Sequence, residues 1–411
     1  MKKFSPLIIS VLAFFFWIAL LEFTATYWIR RWGDPLDKAK EVLAADPKLG
    51  WCQRPHFRGN FLDIPLETNE LGFRDISMAQ ISKAPRKVLV LGPSSTFGWG
   101  VKERETYCSV LQELLRKKFP DVPVEVINAG EIGFSSWQGL NLYKKENLKN
   151  LKADILIIAY GVNDIDRYRF FYNSRLPDKE EFAGTKPNWS AALSNGINDW
   201  NFLNAASRLI FKALSKISCA SREMPQRRVS DSEFLSNMEE LIDMGKANHS
   251  RVIVLSTPMS LPRFEDVADD LQTDSRKYFL EGIKKFNARD YREAVRQFER
   301  SIVIDPDQNE IYYYLSVCYS FLGNCAKSRE SRERAIASEP KRIAEDILRL
   351  NHLLFDLSQR KNVTFIEMPQ KPFLSQLDED FVDPIHLSAQ GNAKVGRLLY
   401  GAITGDKTTT E

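Results

Sequence analysis

Five short apolar segments, separated by stretches with helical periodicity, constrain the fold more than any other feature of the sequence. In chain order they are KVLVLG (87–92), PVEVINAG (123–130), DILIIAYG (154–161), RVIVLST (251–257) and VTFIE (363–367). Uninterrupted apolar runs of this length are typical of buried strands, and residues 108–119 have the pattern of an amphipathic helix. Strands that alternate with helices predict βαβ units and a parallel sheet.

Three of these predicted strands end at a glycine that has small polar residues close to it in the sequence. The ends lie at residues 92–94 (GPS), 128–130 (NAG) and 161–164 (GVND). In an open parallel sheet, ligands bind beyond the carboxyl ends of the strands. The sequence therefore predicts that these three ends contribute to one site.

The residues at these ends suit nucleophilic catalysis by a serine. Such a serine needs a base, a group that orients the base, and donors for the oxyanion. Ser94 follows the first strand, and His386 lies three residues after Asp383 in DFVDPIHLSAQGN. This spacing around a proline turn can place the carboxylate against one imidazole nitrogen and leave the other facing the serine. The predicted oxyanion donors are the N–H groups of Ser94 and Gly130 and the Asn163 amide.

Each residue alone has an ordinary structural explanation, but their order along the chain resembles a known family. GPSST, NAG, GVND and DPIH are similar to the four conserved blocks of the SGNH (GDSL-like) hydrolases. TNELGFRD (68–75) resembles a lead-in common in membrane-anchored bacterial members, and LSAQGNAKVGRLL (387–399) also fits. The resemblance covers about 65–260 and 343–402.

The resemblance implies a fold and a set of roles. The expected fold is a three-layer α/β/α sandwich with a flavodoxin-like, five-stranded parallel sheet. Ser94 would be the nucleophile, Asp383 and His386 would complete the triad, and Gly130 and Asn163 would complete the oxyanion hole with Ser94. No cofactor is expected, and no metal, because the cysteines and histidines lack the spacing of metal ligands.

Pro93 departs from the family pattern, in which this position is usually aspartate. Proline removes a backbone N–H and fixes φ. The donor that the oxyanion needs belongs to Ser94, so the hole can persist beside a proline. Ser95 remains a second candidate nucleophile.

The N-terminus carries a long apolar run between charged residues. SPLIISVLAFFFWIALLEFTATYWI would span about 36 Å as a helix, enough for a bilayer. An uncleaved anchor is favoured over a cleaved signal peptide, because the run is long and no A-x-A site follows. The positive charges after the run favour a cytoplasmic body, whereas the family resemblance implies an exported, periplasmic one.

An internal repeat of 34 residues occupies the long gap between the fourth and fifth strands. Tyr278 and Tyr312 are 34 residues apart, and so are Pro306 and Pro340. With the small and aromatic residues between them, this pattern predicts two tetratricopeptide repeats over about 275–341, which would offer a docking surface for a protein.

These features predict five regions. They are an anchor (1–31), a lead-in segment without strong periodicity (32–80), a first hydrolase part (81–268), the repeats (269–341) and a second hydrolase part (342–405). A helical insertion is expected at 177–248, and the run QRR (226–228) within it is interpreted as a solvated turn. The aromatic and basic stretch 166–176 is a candidate lining of the substrate pocket, or else a packed helix.

The predicted function is a serine esterase that acts on O-acyl esters, with acetyl groups of a cell-envelope glycan as a candidate substrate. An O-acyltransferase with the same triad is one alternative. A catalytically impaired scaffold that binds proteins through its repeats is another. The net charge of +3 over 411 residues gives no reason to expect a nucleic-acid partner.

Overall fold

The structure is a computed structural model, and it describes most but not all of the chain. The described residues are 6–32, 35–145, 148, 150–165, 176–182, 202, 227–261, 273–306, 309–324, 326–328, 330–331, 334, 339–372 and 379–406. Nearly all of the candidate pocket lining at 166–176, and most of the helical insertion predicted at 177–248, therefore lie outside the described residues.

The described residues form strands and helices whose bounds are as follows. The strands are β1 Leu43–Asp46, β2 Gly50–Gln53, β3 Arg58–Phe61, β4 Ile64–Glu67, β5 Arg86–Gly92, β6 Val124–Gly130, β7 Ile155–Ile158, β8 Arg251–Leu255, β9 Met259–Leu261, β10 Thr364–Ile366 and β11 Gln370–Pro372. The helices are α1 Pro6–Trp32, α2 Pro35–Val42, α3 Met78–Lys83, α4 Ser94–Phe97, α5 Tyr107–Lys118, α6 Ser136–Tyr143, α7 Val162–Ile165, α8 Asp178–Phe182, α9 Asp231–Ala247, α10 Thr273–Asn287, α11 Tyr291–Ile304, α12 Asn309–Phe321, α13 Glu339–Arg360 and α14 Ala389–Thr404.

The central sheet has five parallel strands in the order β10-β8-β7-β5-β6. All five predicted strands are present, and the order is the flavodoxin-like one. The order of connections reverses between β5 and β7, where folds of this kind open a crevice at the carboxyl ends of the strands. Ser94 follows β5 and Asn163 follows β7, so the topology brings them to this crevice.

Helices cover both faces of the sheet. Leu89 and Leu91 of β5 belong to an apolar core that α6, α9 and α13 share. Val88 and Val90 point to the opposite face, where α5 and α14 pack. Because alternate strand residues face opposite sides and both sides are buried, the predicted three-layer arrangement is confirmed.

The lead-in segment contains two antiparallel hairpins, β1–β2 and β3–β4, which the sequence pattern did not indicate. The TNELGFRD motif forms the loop that follows them. The side-chain oxygen of Asn69, Oδ1, accepts the N–H groups of Leu71 at 2.9 Å and Phe73 at 3.1 Å, which closes this loop. Arg74 and Asp75 emerge from it toward the active-site loops.

The inserted helices α10, α11 and α12 have an apolar cluster of their own, separate from the two cores that flank the sheet. Phe298 of α11 packs against Gly282 of α10, and α12 contacts α13. Residues 325–338 are described only in part. The assignment of these helices to tetratricopeptide repeats stays a prediction.

Helix α1 contains a stretch, Ser10–Trp28, that is long and apolar enough to cross a membrane, and none of it is buried. A signal sequence near the N-terminus would have the same properties. The Glu22 carboxylate in this stretch accepts the backbone N–H of Phe202 at 2.9 Å.

Arg228 corrects the prediction of a solvated turn at 226–228. Its side chain is 1% exposed and forms an ion pair with the buried Asp178, with Nη2 and Oδ2 2.9 Å apart. Nη1 donates to the carbonyl of Gly133 at 2.6 Å, and the guanidinium lies 5.0 Å from the centre of the Trp51 ring. A charged side chain is stable in such a place only because carboxylate, carbonyl and aromatic partners replace water.

Candidate active site

The turn after β5 presents Ser94 at the first residue of the short helix α4. Pro93 is extended, with φ −88°, and its carbonyl accepts the N–H groups of Thr96 and Phe97 at 3.0 Å each. The residue that caps a helix in this way contributes its carbonyl, not its N–H. Pro93 is therefore compatible with the nucleophile turn.

Ser94, His386 and Asp383 form one line of hydrogen bonds. Ser94 Oγ lies 2.7 Å from His386 Nε2, and His386 Nδ1 lies 2.7 Å from Asp383 Oδ2. With the imidazole proton on Nδ1, the ring donates to Asp383 and accepts from the Ser94 hydroxyl. Ser94 is 7% exposed and His386 is 8% exposed.

The DPIH turn itself orients the Asp383 carboxylate. Asp383 Oδ1 accepts the N–H groups of Ile385 at 3.0 Å and His386 at 2.9 Å. Burial alone would raise the pKa of the Asp383 carboxyl, but hydrogen bonding to the His386 ring and to these N–H groups lowers it below its ordinary value. The carboxylate therefore stays charged beside the imidazole.

Ser94 and Ser95 differ in their relation to the base. Both side chains are buried, but within the described part of the chain only the Ser94 hydroxyl is bonded to His386. The geometry thus favours Ser94 over Ser95 as the nucleophile.

Two of the predicted oxyanion donors have an N–H group free to bind an oxyanion. Ser94 N–H lies in the first turn of α4 and has no acceptor among the described residues. The Asn163 amide donates one N–H to the carbonyl of Phe134 at 3.0 Å, which fixes its orientation, and the second N–H has no acceptor within the described ranges.

The third predicted donor, Gly130, is engaged elsewhere. Its N–H donates to the side-chain carbonyl of Asn128 at 3.1 Å. A Cβ at Gly130 would lie 2.3 Å from the backbone nitrogen of Phe97, so a larger residue would displace α4. Glycine is needed here for close packing against the nucleophile helix, and its N–H would have to leave Asn128 to bind an oxyanion.

Trp99 is a site residue that the sequence analysis missed. Its indole stacks on the His386 imidazole, with ring centroids 5.0 Å apart and planes 14° apart. Its backbone N–H donates to the Ser94 carbonyl at 3.0 Å. The available signal was its position in FGWG, five residues after the candidate nucleophile.

Two residues of the lead-in motif bond to the backbone near Ser94, one to the segment just beyond α4 and the other to strand β6. The buried Arg74 guanidinium donates to the carbonyls of Gly98 at 3.0 Å and Val101 at 2.9 Å, just beyond α4. Burial lowers the pKa of Arg74. Asp75 accepts the N–H of Asn128 at 2.6 Å, and burial raises the pKa of Asp75 to about 7.

Asp164, next to Asn163, ties the short helix α7 to the start of α6. Its carboxylate accepts the backbone N–H of Ser136 at 3.0 Å and the Ser136 hydroxyl. Burial raises the pKa of Asp164 to about 7, although these hydrogen bonds oppose the rise. An anionic acceptor at the start of α6 is also favoured by the helix dipole.

Within the described ranges, no group of three or more histidine, cysteine, aspartate and glutamate side chains could hold a metal ion. A cavity of about 820 Å³ lies between α5, the edge strand β6 and the lead-in loop. Neither Ser94 nor His386 lines it, so it is separate from the triad.

A family model matches the central part of the chain. The model of the GDSL-like Lipase/Acylhydrolase family matches residues 90–316, more than half of the 411 residues. The chain belongs to this family. It is a serine ester hydrolase. The match includes Ser94, Gly130 and Asn163 and ends before Asp383.

Several solved structures of esterases and acylhydrolases are similar to the chain at low identity. The acetyl xylan esterase AlAXEase is 15% identical, with 77% of this chain and 99% of that chain covered and a TM-score of 0.38. A lipase/acylhydrolase from Enterococcus faecalis is 16% identical, with 78% and 96% covered and a TM-score of 0.34. A variant of the acetylxylan esterase Axe2 from Geobacillus stearothermophilus is 12% identical, with 77% and 95% covered and a TM-score of 0.38. No curated protein matches the chain.

Proposed function

We propose that Ser94, His386 and Asp383 are the catalytic triad of an esterase for small O-acyl groups. The observation that carries the proposal is the pair of 2.7 Å contacts that joins the three side chains. Ser94 Oγ attacks the ester carbonyl carbon while His386 Nε2 takes the hydroxyl proton. The imidazolium then gives this proton to the departing alcohol, and water repeats the sequence on the acyl-enzyme.

The oxyanion of the tetrahedral intermediate would be stabilised by the Ser94 N–H and the second N–H of the Asn163 amide. Both are fixed before substrate binds, which makes their hydrogen bonds most effective in the transition state. Gly130 would join them if its N–H moves from Asn128 to the oxyanion.

A short acyl group suits the site better than a long one. The described walls leave the Ser94 hydroxyl largely buried, with the Trp99 indole beside the base. We therefore propose acetyl esters of a cell-envelope glycan as the substrate class.

The hydrogen bonds that join Ser94, His386 and Asp383 support a catalytic protein rather than an impaired scaffold. Pro93, the departure from the family pattern, would be the ground for that alternative, yet its carbonyl caps α4 and the Ser94 N–H has no acceptor among the described residues. A protein-docking role for α10–α12 is an addition to catalysis in this proposal and does not replace it.

Hydrolysis and acyl transfer share the same triad, so an acceptor experiment is needed to separate them. The full chain, solubilised in detergent, is incubated with p-nitrophenyl acetate in the presence and absence of an unacetylated glycan. A hydrolase releases acetate at the same rate in both cases and leaves the glycan unmodified. Acetylated glycan would indicate a transferase, and failure to cleave the ester would overturn the proposed activity.

We also propose that α1 anchors the protein in the cytoplasmic membrane with the catalytic domain on the outer, periplasmic face. The exposed apolar surface of α1 supports an anchor, and the family resemblance supports export. A reporter that is active only in the cytoplasm, fused after residue 411, should be silent. An active reporter would reverse the orientation.

A further inference from the structure

Both the oxygen and the nitrogen of the Asn351 side-chain amide, on α13, form hydrogen bonds with the backbone of Thr257. Its Oδ1 accepts the Thr257 N–H at 2.8 Å, and its Nδ2 donates to the Thr257 carbonyl at 3.1 Å. Asn351 is 6% exposed, so water does not compete for these bonds. Two hydrogen bonds to the backbone of one residue, one on each side of its Cα, fix both the position and the orientation of Thr257.

Thr257 in turn lies against the start of the loop that carries Asn163. A Cβ placed on Gly161 would lie 2.3 Å from Thr257 Oγ1, so the hydroxyl rests directly on the Gly161 backbone. Gly161 is the residue before α7, and its carbonyl accepts the N–H of Asp164 at 3.0 Å. The position of Thr257 therefore sets where α7 begins.

Helix α13 also contacts α7 directly, and it contacts α12 of the insertion. Residues Ile347, Leu350 and Leu354 anchor α13 in the core beneath the sheet. A helix whose apolar face packs in the core in this way gives Asn351 a rigid base from which to hold Thr257.

We propose that Asn351 is a positioning residue for ester cleavage, which acts through Thr257 and Gly161 on the Asn163 amide. The inference rests on the proposed role of Asn163 as an oxyanion donor. That amide has one fixed partner, Phe134, so the direction of its second N–H depends on where α7 lies. Misplacement of a catalytic group by 1 Å can cost about 10²-fold in rate.

A double-mutant cycle tests the inference in the full-length protein with p-nitrophenyl acetate. Asn351→Leu, which keeps the size but removes both hydrogen bonds, is expected to lower kcat about 10-fold to 10²-fold with KM nearly unchanged. In an Asn163→Ala background the same substitution should lower kcat less than about 2-fold, because the group that it positions is gone. Asn141→Leu, which removes an amide bonded to the Trp137 carbonyl, is the matched control and should leave kcat unchanged.

Folding is monitored separately, and kcat is expressed per active site titrated with a fluorophosphonate. If Asn351→Leu folds poorly, Asn351→Asp keeps the acceptor for the Thr257 N–H and should show a smaller loss with the same dependence on Asn163. Equal losses in both backgrounds, or no loss in either, would overturn the inference while the proposed function stands. Absence of Ser94-dependent turnover in the unmodified protein would overturn both.

Discussion

The indole of Trp99 lies flat against the imidazole of His386, 5.0 Å between centroids and 14° between planes. Trp99 is 6% exposed. Its ring and the Phe61 ring form a T-shaped pair with centroids 5.0 Å apart, so the indole is itself held in place. A flat aromatic surface restricts the imidazole to the plane in which Nε2 reaches Ser94. In the proposed mechanism it would also stabilise the imidazolium that forms during acylation, because the ring face attracts a cation.

Replacement of Trp99 tests this stacking. Trp99→Leu is expected to lower kcat about 10-fold with little change in KM, since a cation–π contact is worth about 0.5–2 kcal/mol. Trp99→Phe keeps an aromatic face and should recover most of the loss. Steady-state kinetics on p-nitrophenyl acetate measures both. Equal losses in the two variants would show that the indole has only a packing role.

The choice between the adjacent serines is tested by single substitutions. Ser94→Ala should reduce kcat by several orders of magnitude, because no other described hydroxyl is bonded to His386. Ser95→Ala removes a neighbouring hydroxyl of the same size and should keep most of the activity. Both variants should unfold at nearly the wild-type temperature. The assignment is wrong if Ser95→Ala is the inactive variant.

The grouping of Ser94, His386 and Asp383 could be predicted because these residues stand at a strand end and in one local turn. Ser94 and Asn163 follow apolar runs that could be recognised, and the bond between Asp383 and His386 depends on three residues of spacing. Trp99 could not be found in this way. Its contact with His386 joins positions far apart in the chain, and no local pattern distinguishes a tryptophan that stacks on a base from one that packs in a core.

Arg228 offers a test of stability away from the triad. Arg228→Met leaves the Asp178 carboxylate buried without its cation, and loss of one partner of a buried pair typically costs about 3–5 kcal/mol. Urea denaturation followed by circular dichroism measures the change. Arg58→Met, at an exposed pair with Glu67, is the control and should leave the midpoint nearly unchanged. A similar midpoint for both variants would contradict the burial of Arg228.

The elements that sequence analysis missed are those whose stability comes from distant partners. The strands of the central sheet are mostly apolar, so their own residues indicate that they are buried. The hairpins of the lead-in are short and mixed in polarity, and β2 is held by Trp51 Nε1, which donates to the carbonyl of Ile132. In the sequence Arg228 cannot be distinguished from a surface residue, because its buried partner Asp178 is brought to it only by the fold.

Buried carboxyl groups whose pKa is raised make a contribution to stability that falls as the pH rises. Glu131 accepts the N–H of Gln53 at 2.9 Å, and burial raises the pKa of Glu131 to about 8. A folded-state pKa above the unfolded value means that the folded state binds the proton more tightly. This contribution is fully present below about pH 4.5 and is lost as the pH rises through about 8.

Glu131→Gln tests this pH dependence, since glutamine keeps an acceptor for Gln53 and cannot ionise. The variant should lose less unfolding free energy than the wild type between pH 5 and pH 8. Asp121→Asn, at an exposed carboxyl, is the control and should follow the wild-type curve. Parallel curves for Glu131→Gln and the wild type would show that Glu131 does not carry the effect.

The inserted helices should be removable without loss of ester cleavage. Helices α10–α12 bury an apolar cluster of their own, and the proposed triad and oxyanion residues all lie outside the segment. Replacement of residues 272–341 by a short Gly/Ser linker should therefore keep the sheet intact and preserve turnover of p-nitrophenyl acetate. A partner recruited by these helices would no longer bind.

The catalytic domain and the inserted helices are in contact through α12 and α13, so the deletion can affect the catalytic domain there. Loss of this contact exposes part of α13, so the thermal midpoint of the deletion protein should drop while kcat on the small ester stays near the wild-type value. Because Asn351 lies on α13, a shift of this helix would reach Asn163 through Thr257. A deletion protein that is folded by circular dichroism, labels with a fluorophosphonate and yet has a strongly reduced kcat would show that the insertion helps to shape the oxyanion hole. The division into a catalytic body and a docking insertion would then be wrong.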